Sequence, residues 1–336
     1  MPKTILLLLC TWCALYGIAD ELGQRQVMQR NWRLNFLFAT IAWGAIVVAI
    51  TEILSLFHLI TRNGLIVAWS IVFLFAASSL LLLRHNRVRW RSPQISLMTN
   101  FSDRMIVILV TSIVVLSLIL VMTGLIYPPN NLDSLIYHLP RVVYWQQNSS
   151  VSHYATHNET QLYMPPFTEF VILHINTLTI GDNWANTVQW FAMIGSLIGV
   201  AEIARLLGAG ARGQAAAALL TVAIPVGLMQ STNTKNDYVL ALWMVSLAVM
   251  TLSLFERSTW LYTVGFGISL GLAILTKGTA LILVFPLSFT AIIIIYFRHR
   301  RQFIKHSLII FILAMSICSG HFIRNYILYQ SIFGPY

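Results

Sequence analysis

Charge is what this chain has least of. Asp, Glu, Lys and Arg make up only 10% of its 336 residues, where a soluble domain carries about a quarter. Acids are the scarcer half, 11 against 21 bases. Hydrophobic residues reach 57% and mean hydropathy is +0.75, so a water-soluble enzyme is excluded. Cysteine is equally sparse: Cys10, Cys13 and Cys318 rule out a disulfide scaffold and a zinc framework. Cys10 and Cys13, in CTWC, read as small packing or lipid-facing residues of an apolar helix. The apolar runs do not alternate with polar residues as barrel strands do, so the spanning elements are helices. No long polar linker and no internal repeat is visible, which disfavours the inverted repeats of secondary transporters.

The long apolar runs are present instead. A span needs about 20 residues, and candidates occupy 4–19, 34–60, 65–83, 105–127, 184–204, 213–230, 238–255, 259–275, 278–297 and 306–325. The start, MPKTILLLLCTWCALYG, lacks a small-x-small cleavage site and reads as an uncleaved first helix. The stretch 167–180 is too short to span and reads as interfacial or re-entrant. The expected fold is all-α: an integral membrane bundle of about ten spans, with a large loop carrying interfacial helices.

The net charge of +10 sits mainly in short loops, where it sets orientation, so nucleic acid is not a partner. If 167–180 does not cross, fifteen lysines and arginines fall on the side of loop 84–104 and six on the other. The richer side is then cytoplasmic, and loop 128–166 faces the periplasm or exterior of the cell (inner) membrane. Four of the six outward bases, Arg141, Lys235, Lys277 and Arg324, share the side of Asp133. A lipid phosphate at that surface is one reason to keep them there.

Loop 128–166 holds NNLDSLIYHLPR. Pro128 and Pro129 end the preceding helix. Asp133, Tyr137 and Arg141 stand at i, i+4 and i+8, one face of a helix. A carboxylate beside a membrane can take the proton of a hydroxyl that attacks a sugar carbon, and cations can meet a departing phosphate. The plainer alternative is that Asp133 caps the helix beginning at Ser134. Asp237, in QSTNTKNDYVLALW, also has the place of a cap. Lys277 sits at a helix break in GLAILTKG, where it either serves a site or snorkels. Glu52 and Glu169 are candidate functional residues because acids in apolar stretches are costly. Glu202 reads as an intrahelical partner of Arg205. His153 and His157 lack a third ligand, so no cofactor is predicted, although a divalent metal is left open.

These residues resemble the C-type glycosyltransferase superfamily, polytopic enzymes that use polyprenyl-phosphate-linked sugars. Within it they are most similar to bacterial members akin to glycosyltransferase family 39, which includes protein O-mannosyltransferases and the lipid A aminoarabinose transferase. LDSLIYHLPR looks like the family's loop aspartate after a span. QLYMPPFTEF looks like its proline-bearing return to the membrane, and TKNDYVLALW with GLAILTKG resembles its acidic turn and Leu-Thr-Lys-Gly break. The likeness runs from about residue 105 to the end. It divides the chain into an N-terminal unit of three spans, 1–104, and a transferase-like core, 105–336, expected to be cut short at its C-terminus. It departs from the family at SLIYHLPR, which lacks the mannosyltransferases' acidic pattern, and at Tyr163-Met164-Pro165, where the aminoarabinose enzyme has Glu-Lys-Pro.

The resemblance implies transfer, with inversion, from a polyprenyl-phosphate sugar to a hydroxyl on a lipid, glycan or protein at the outer face. Asp133 is then the catalytic base, and Tyr137, His138, Arg141, Asp237 and Lys277 contact substrate. The rival classes are a lipid or polysaccharide transporter and a non-catalytic membrane scaffold.

Overall fold

The computed structural model describes residues 4–25, 27–85, 103–256, 259–298 and 300–335. Most of the basic loop 84–104 therefore lies outside the described residues. The described residues contain no strand. Four long helices come first: α1 (Ile5–Gln24), α2 (Trp32–Leu56), α3 (Arg62–His85) and α4 (Arg104–Ile126). A π-helical turn, Ser134–His138, leads into the short helices α5 (Leu139–Asn148), α6 (Thr160–Tyr163) and α7 (Phe167–Thr179). Then follow α8 (Thr187–Leu206), α9 (Ala211–Val222), α10 (Pro225–Gln230), α11 (Asp237–Glu256), α12 (Trp260–Thr276), α13 (Ala280–Arg298) and α14 (Phe303–Tyr329).

Among the described residues, eight helices are long and apolar enough to cross a membrane. Two of the ten expected spans differ. α12 has 17 residues, about 25 Å at 1.5 Å per residue. The run 213–230 is broken into α9 and α10, because Pro225 has no N–H to continue the ladder and Ile224 before it is extended.

The bundle is layered around α2, α11 and α12. α11 packs on α8 and α12, α12 on α14, and α2 on α1, α8 and α12. Helices from before residue 104 and after it thus share one core. α12 approaches α14 through Gly267 and Gly271, one turn apart. A Cβ at Gly271 would lie 2.8 Å from the Cβ of Ile317 and 3.0 Å from the Cα of Ala314. Small residues at such a seam let two backbones close together. α4 is the opposite case, touching α8 and α9 and leaving Ile108, Leu118, Ile119 and Met122 exposed.

Charges collect at two ends of the bundle. At one end Arg25 donates to the carbonyl of Leu83, Arg84 meets Glu21, and Arg212 meets Asp103. There Glu202, fully buried, accepts from Arg205 as the sequence implied, and from Asn31 as well. The other end carries loop 128–166. Both ends of α7 lie at this loop end: Glu169 meets the loop, and the carbonyl of Leu178 accepts from Thr4 at the start of α1. α7 enters the bundle and does not cross it, and its residues are mostly buried.

Candidate functional site

At the loop end, two carboxylates stand at helix starts without capping them. The helical turn before the π segment is capped by Asn131, whose Oδ1 accepts from the N–H of Ser134 at 2.9 Å. Asp133 makes no side-chain cap bond. Its Oδ2 instead meets Lys235 Nζ at 2.7 Å, with the aspartate side chain 46% exposed. The same substitution of roles occurs at α11. Gln189 of α8 lends its Oε1 to the N–H groups of Tyr238 (2.9 Å) and Val239 (3.1 Å). Asp237 is left to pair with Lys277 at 2.6 Å. The capping explanation drawn from the sequence therefore does not hold for Asp133.

The second pair is held in place by backbone ties. Lys277 is extended between α12 and α13, which releases it from helical direction. Asn236, just before Asp237, donates to the carbonyl of Thr276, just before Lys277, at 2.9 Å. The start of α11 and the end of α12 are thereby locked side by side. Both members of the Asp237–Lys277 pair remain about a third exposed.

Beneath Asp133 lies a fully buried cluster. His138 Nδ1 and Arg141 Nη1 both reach Glu169 Oε1, at 2.9 and 3.1 Å. The other donors of Arg141 go to the carbonyls of Gln161, Thr160 and Met164, at 2.5, 3.0 and 2.9 Å. Its guanidinium also stands 5.3 Å from the ring centroid of Trp145. Burial opposes the charge on Glu169, but His138 and Arg141 outweigh it and hold the carboxyl below its usual range. In place of the expected substrate contact, Arg141 and His138 are sealed from solvent and tie the loop to α7. The spacing that put Arg141 on the face of Asp133 could not show that carbonyls from residues 160–164 fold over it.

Tyr137 bridges the two regions. Its ring centroid lies 3.9 Å from that of His138. Burial, then the fields of Glu169 and Asp133, push its hydroxyl above the ordinary tyrosine range, and Asp237 adds to them. The phenol stays neutral and can donate a hydrogen bond. Nearby, burial and then Arg324 and Arg141 lower His153 to about 4. Among the described residues no cluster of three or more His, Cys, Asp or Glu is placed to hold a metal ion.

All four outward bases singled out by charge counting have an acidic partner. Arg324 grips Glu52 with two bonds of 2.6 and 2.8 Å. Arg141 holds Glu169, and Lys235 and Lys277 hold the two aspartates. The sequence marked Glu52 and Glu169 as costly acids; what it could not supply was their partners, 272 and 28 residues away.

Residues 164–323 match the model of the family described as dolichyl-phosphate-mannose-protein mannosyltransferase. The match covers just under half of the chain and supports a glycosyltransferase of the C-type superfamily. Asp237 and Lys277 lie inside it, while Asp133, Tyr137, His138 and Arg141 lie upstream. No curated protein and no solved structure matches the chain.

Proposed function

Proceeding from that family match, we propose that this polytopic membrane glycosyltransferase takes its sugar from a polyprenyl-phosphate donor. The acceptor is a hydroxyl on a lipid, glycan or protein, and the reaction occurs at the outer face of the cell membrane. The observation that carries the reading is the pair of carboxylate–lysine contacts at one end of the bundle, Asp133–Lys235 and Asp237–Lys277.

Asp133 is the general base. As the acceptor oxygen bonds to the anomeric carbon, its proton passes to the Asp133 carboxylate. The bond from that carbon to the phosphate oxygen breaks, and the polyprenyl phosphate leaves with the electron pair. Lys277 and Lys235 meet the phosphate charge. Both can exchange an aspartate for a phosphate at small cost, because partly exposed ion pairs are worth about 0–1 kcal/mol. Asp237 holds Lys277 ready and Tyr137 donates to a ligand oxygen. His138, Arg141 and Glu169 fix the turn bearing Asp133 and act through it.

A single displacement, with the acceptor oxygen entering opposite the departing phosphate, inverts the sugar carbon. The test is the anomeric configuration of the product, read by NMR, with polyprenyl-phosphate and nucleotide sugars offered side by side. Inversion from the lipid-linked donor is expected. Retention, or use of the nucleotide sugar alone, would overturn the mechanism.

A further inference from the structure

α1 and α4 leave an opening in the bundle. α1 packs on α2 and α3, and α4 on α8 and α9. A cavity of about 300 Å³ remains, walled by Leu9 of α1, Trp43 of α2, Val121 of α4, Phe167 of α7, Phe191 of α8 and Trp243 of α11. Its floor is stiff, because Trp12 stands edge-on to Phe36 at 5.1 Å, and Phe36 stacks on Phe191 at 5.8 Å. Its rim is open to the surroundings of the bundle: Leu9 is exposed on α1, and Leu118 and Met122 on α4.

Three features define what fits. The cavity occupies the half of the bundle next to the loop, since its lining begins at Ile5 on α1 and at Val239 on α11. The medium at that depth is lipid hydrocarbon, and an unfilled apolar space forfeits dispersion contacts. Among the described residues no charged side chain lines it. Its two hydroxyls already donate to backbone carbonyls, Thr40 to Phe36 and Thr187 to Trp184. Of its indoles, Trp12 donates to Thr40 and Trp190 to the carbonyl of Ser117, while the N–H groups of Trp43 and Trp243 are buried without a partner. With no charge to offer a head group, such a lining takes an apolar chain, and mass action fills it with the commonest one at hand.

We propose that this cleft holds an acyl chain of a bilayer phospholipid, drawn from the leaflet on the loop's side, as a resident lipid that seals α1 to α4. The proposal is independent of sugar transfer. It differs from the donor site, whose recognition rests on charge.

Among the described residues five tryptophans, Trp12, Trp43, Trp184, Trp190 and Trp243, line the cleft, and they supply the readout. The full chain is reconstituted in vesicles of phosphatidylglycerol with brominated acyl chains, and tryptophan fluorescence is compared with that in unbrominated vesicles. Bromine on a bound chain should quench the wild type. Ala192→Phe, which fills the cleft, should lose a large part of that quenching, because Trp69 and Trp145, outside the cleft, are buried in the core. Val121→Phe narrows the rim and should act alike if Ala192→Phe fails to fold by circular dichroism. Quenching unchanged in a folded, filled variant would mean only surface lipid contact and would overturn the proposal. Relief of wild-type quenching by a small fraction of polyprenyl phosphate would also overturn it, by giving the cleft to the donor's tail.

Discussion

Asp133 and Asp237 are left to pair with lysines because Asn131 and Gln189 do the capping. That division of labour yields a stability prediction. Gln189→Leu strands the buried N–H groups of Tyr238 and Val239, each satisfied only through its amide oxygen. The expected loss is about 1–3 kcal/mol in detergent unfolding; an unchanged midpoint would show that the cap carries no weight. The two kinds of cation should separate cleanly. Arg141→Ala leaves Glu169 charged and buried, and should cost about 3–5 kcal/mol. Lys277→Ala should leave the unfolding midpoint almost unmoved and lower turnover. Similar melting losses in both variants would contradict the split between a buried tie and a ligand contact. His153 gives a pH signature. Its folded value, about 4, lies below the ordinary 6.5. The unfolded chain therefore takes up its proton first as pH falls. The stability tied to neutral His153 is full above about 6.5, and declines from there toward about 4. His153→Gln should flatten the fall in melting temperature between about pH 7 and about pH 5. An equal fall in both proteins would remove His153 as its source.

Helices were legible where composition alone decides them. Unbroken apolar runs announce α2, α3, α4 and α11, because burial in hydrocarbon needs only length and the absence of charge. The stretch 167–180 was also readable as a non-crossing segment, from its shortness and from the loops that follow it. Two other boundaries were not. Pro225 sits inside a run whose hydropathy stays high, and hydropathy does not register a missing N–H. The π turn at Ser134–His138 adds one residue per turn, which no apolar period in LDSLIYHLPR betrays. The candidate site was half legible for the same reason. Asp133, Asp237 and Lys277 stand out as charges at the edges of apolar runs. Gln189, an uncharged residue of α8, has no such mark, and its task at α11 is set by tertiary packing. The glycine seam of α12 follows the same logic. Gly271→Val should push α12 from α14 and cost about 1–3 kcal/mol as an overpacked contact, read by thermal unfolding. Tolerance of valine would mean that the seam yields freely.

At the scale of the whole molecule, the chain is a bundle with one plain end and one equipped end. The plain end gathers arginines in short loops. The equipped end gathers the return of α7, the buried His138–Glu169–Arg141 tie and the two aspartate–lysine pairs. The lysine and arginine bias predicts that the plain end is cytoplasmic. Labelling with a membrane-impermeant maleimide checks it, on a chain freed of Cys10, Cys13 and Cys318. Glu159→Cys should react in intact cells, and Arg301→Cys only after lysis; the reverse pattern would turn the protein over. The most direct measurement is transfer of radiolabelled sugar from polyprenyl-phosphate donors into membranes, comparing wild type with Asp133→Asn. The variant keeps the side chain's shape and loses only its charge. The expected result is transfer by the wild type, abolished in Asp133→Asn with its melting temperature preserved. Full transfer by a well-folded Asp133→Asn would contradict Asp133 as the base.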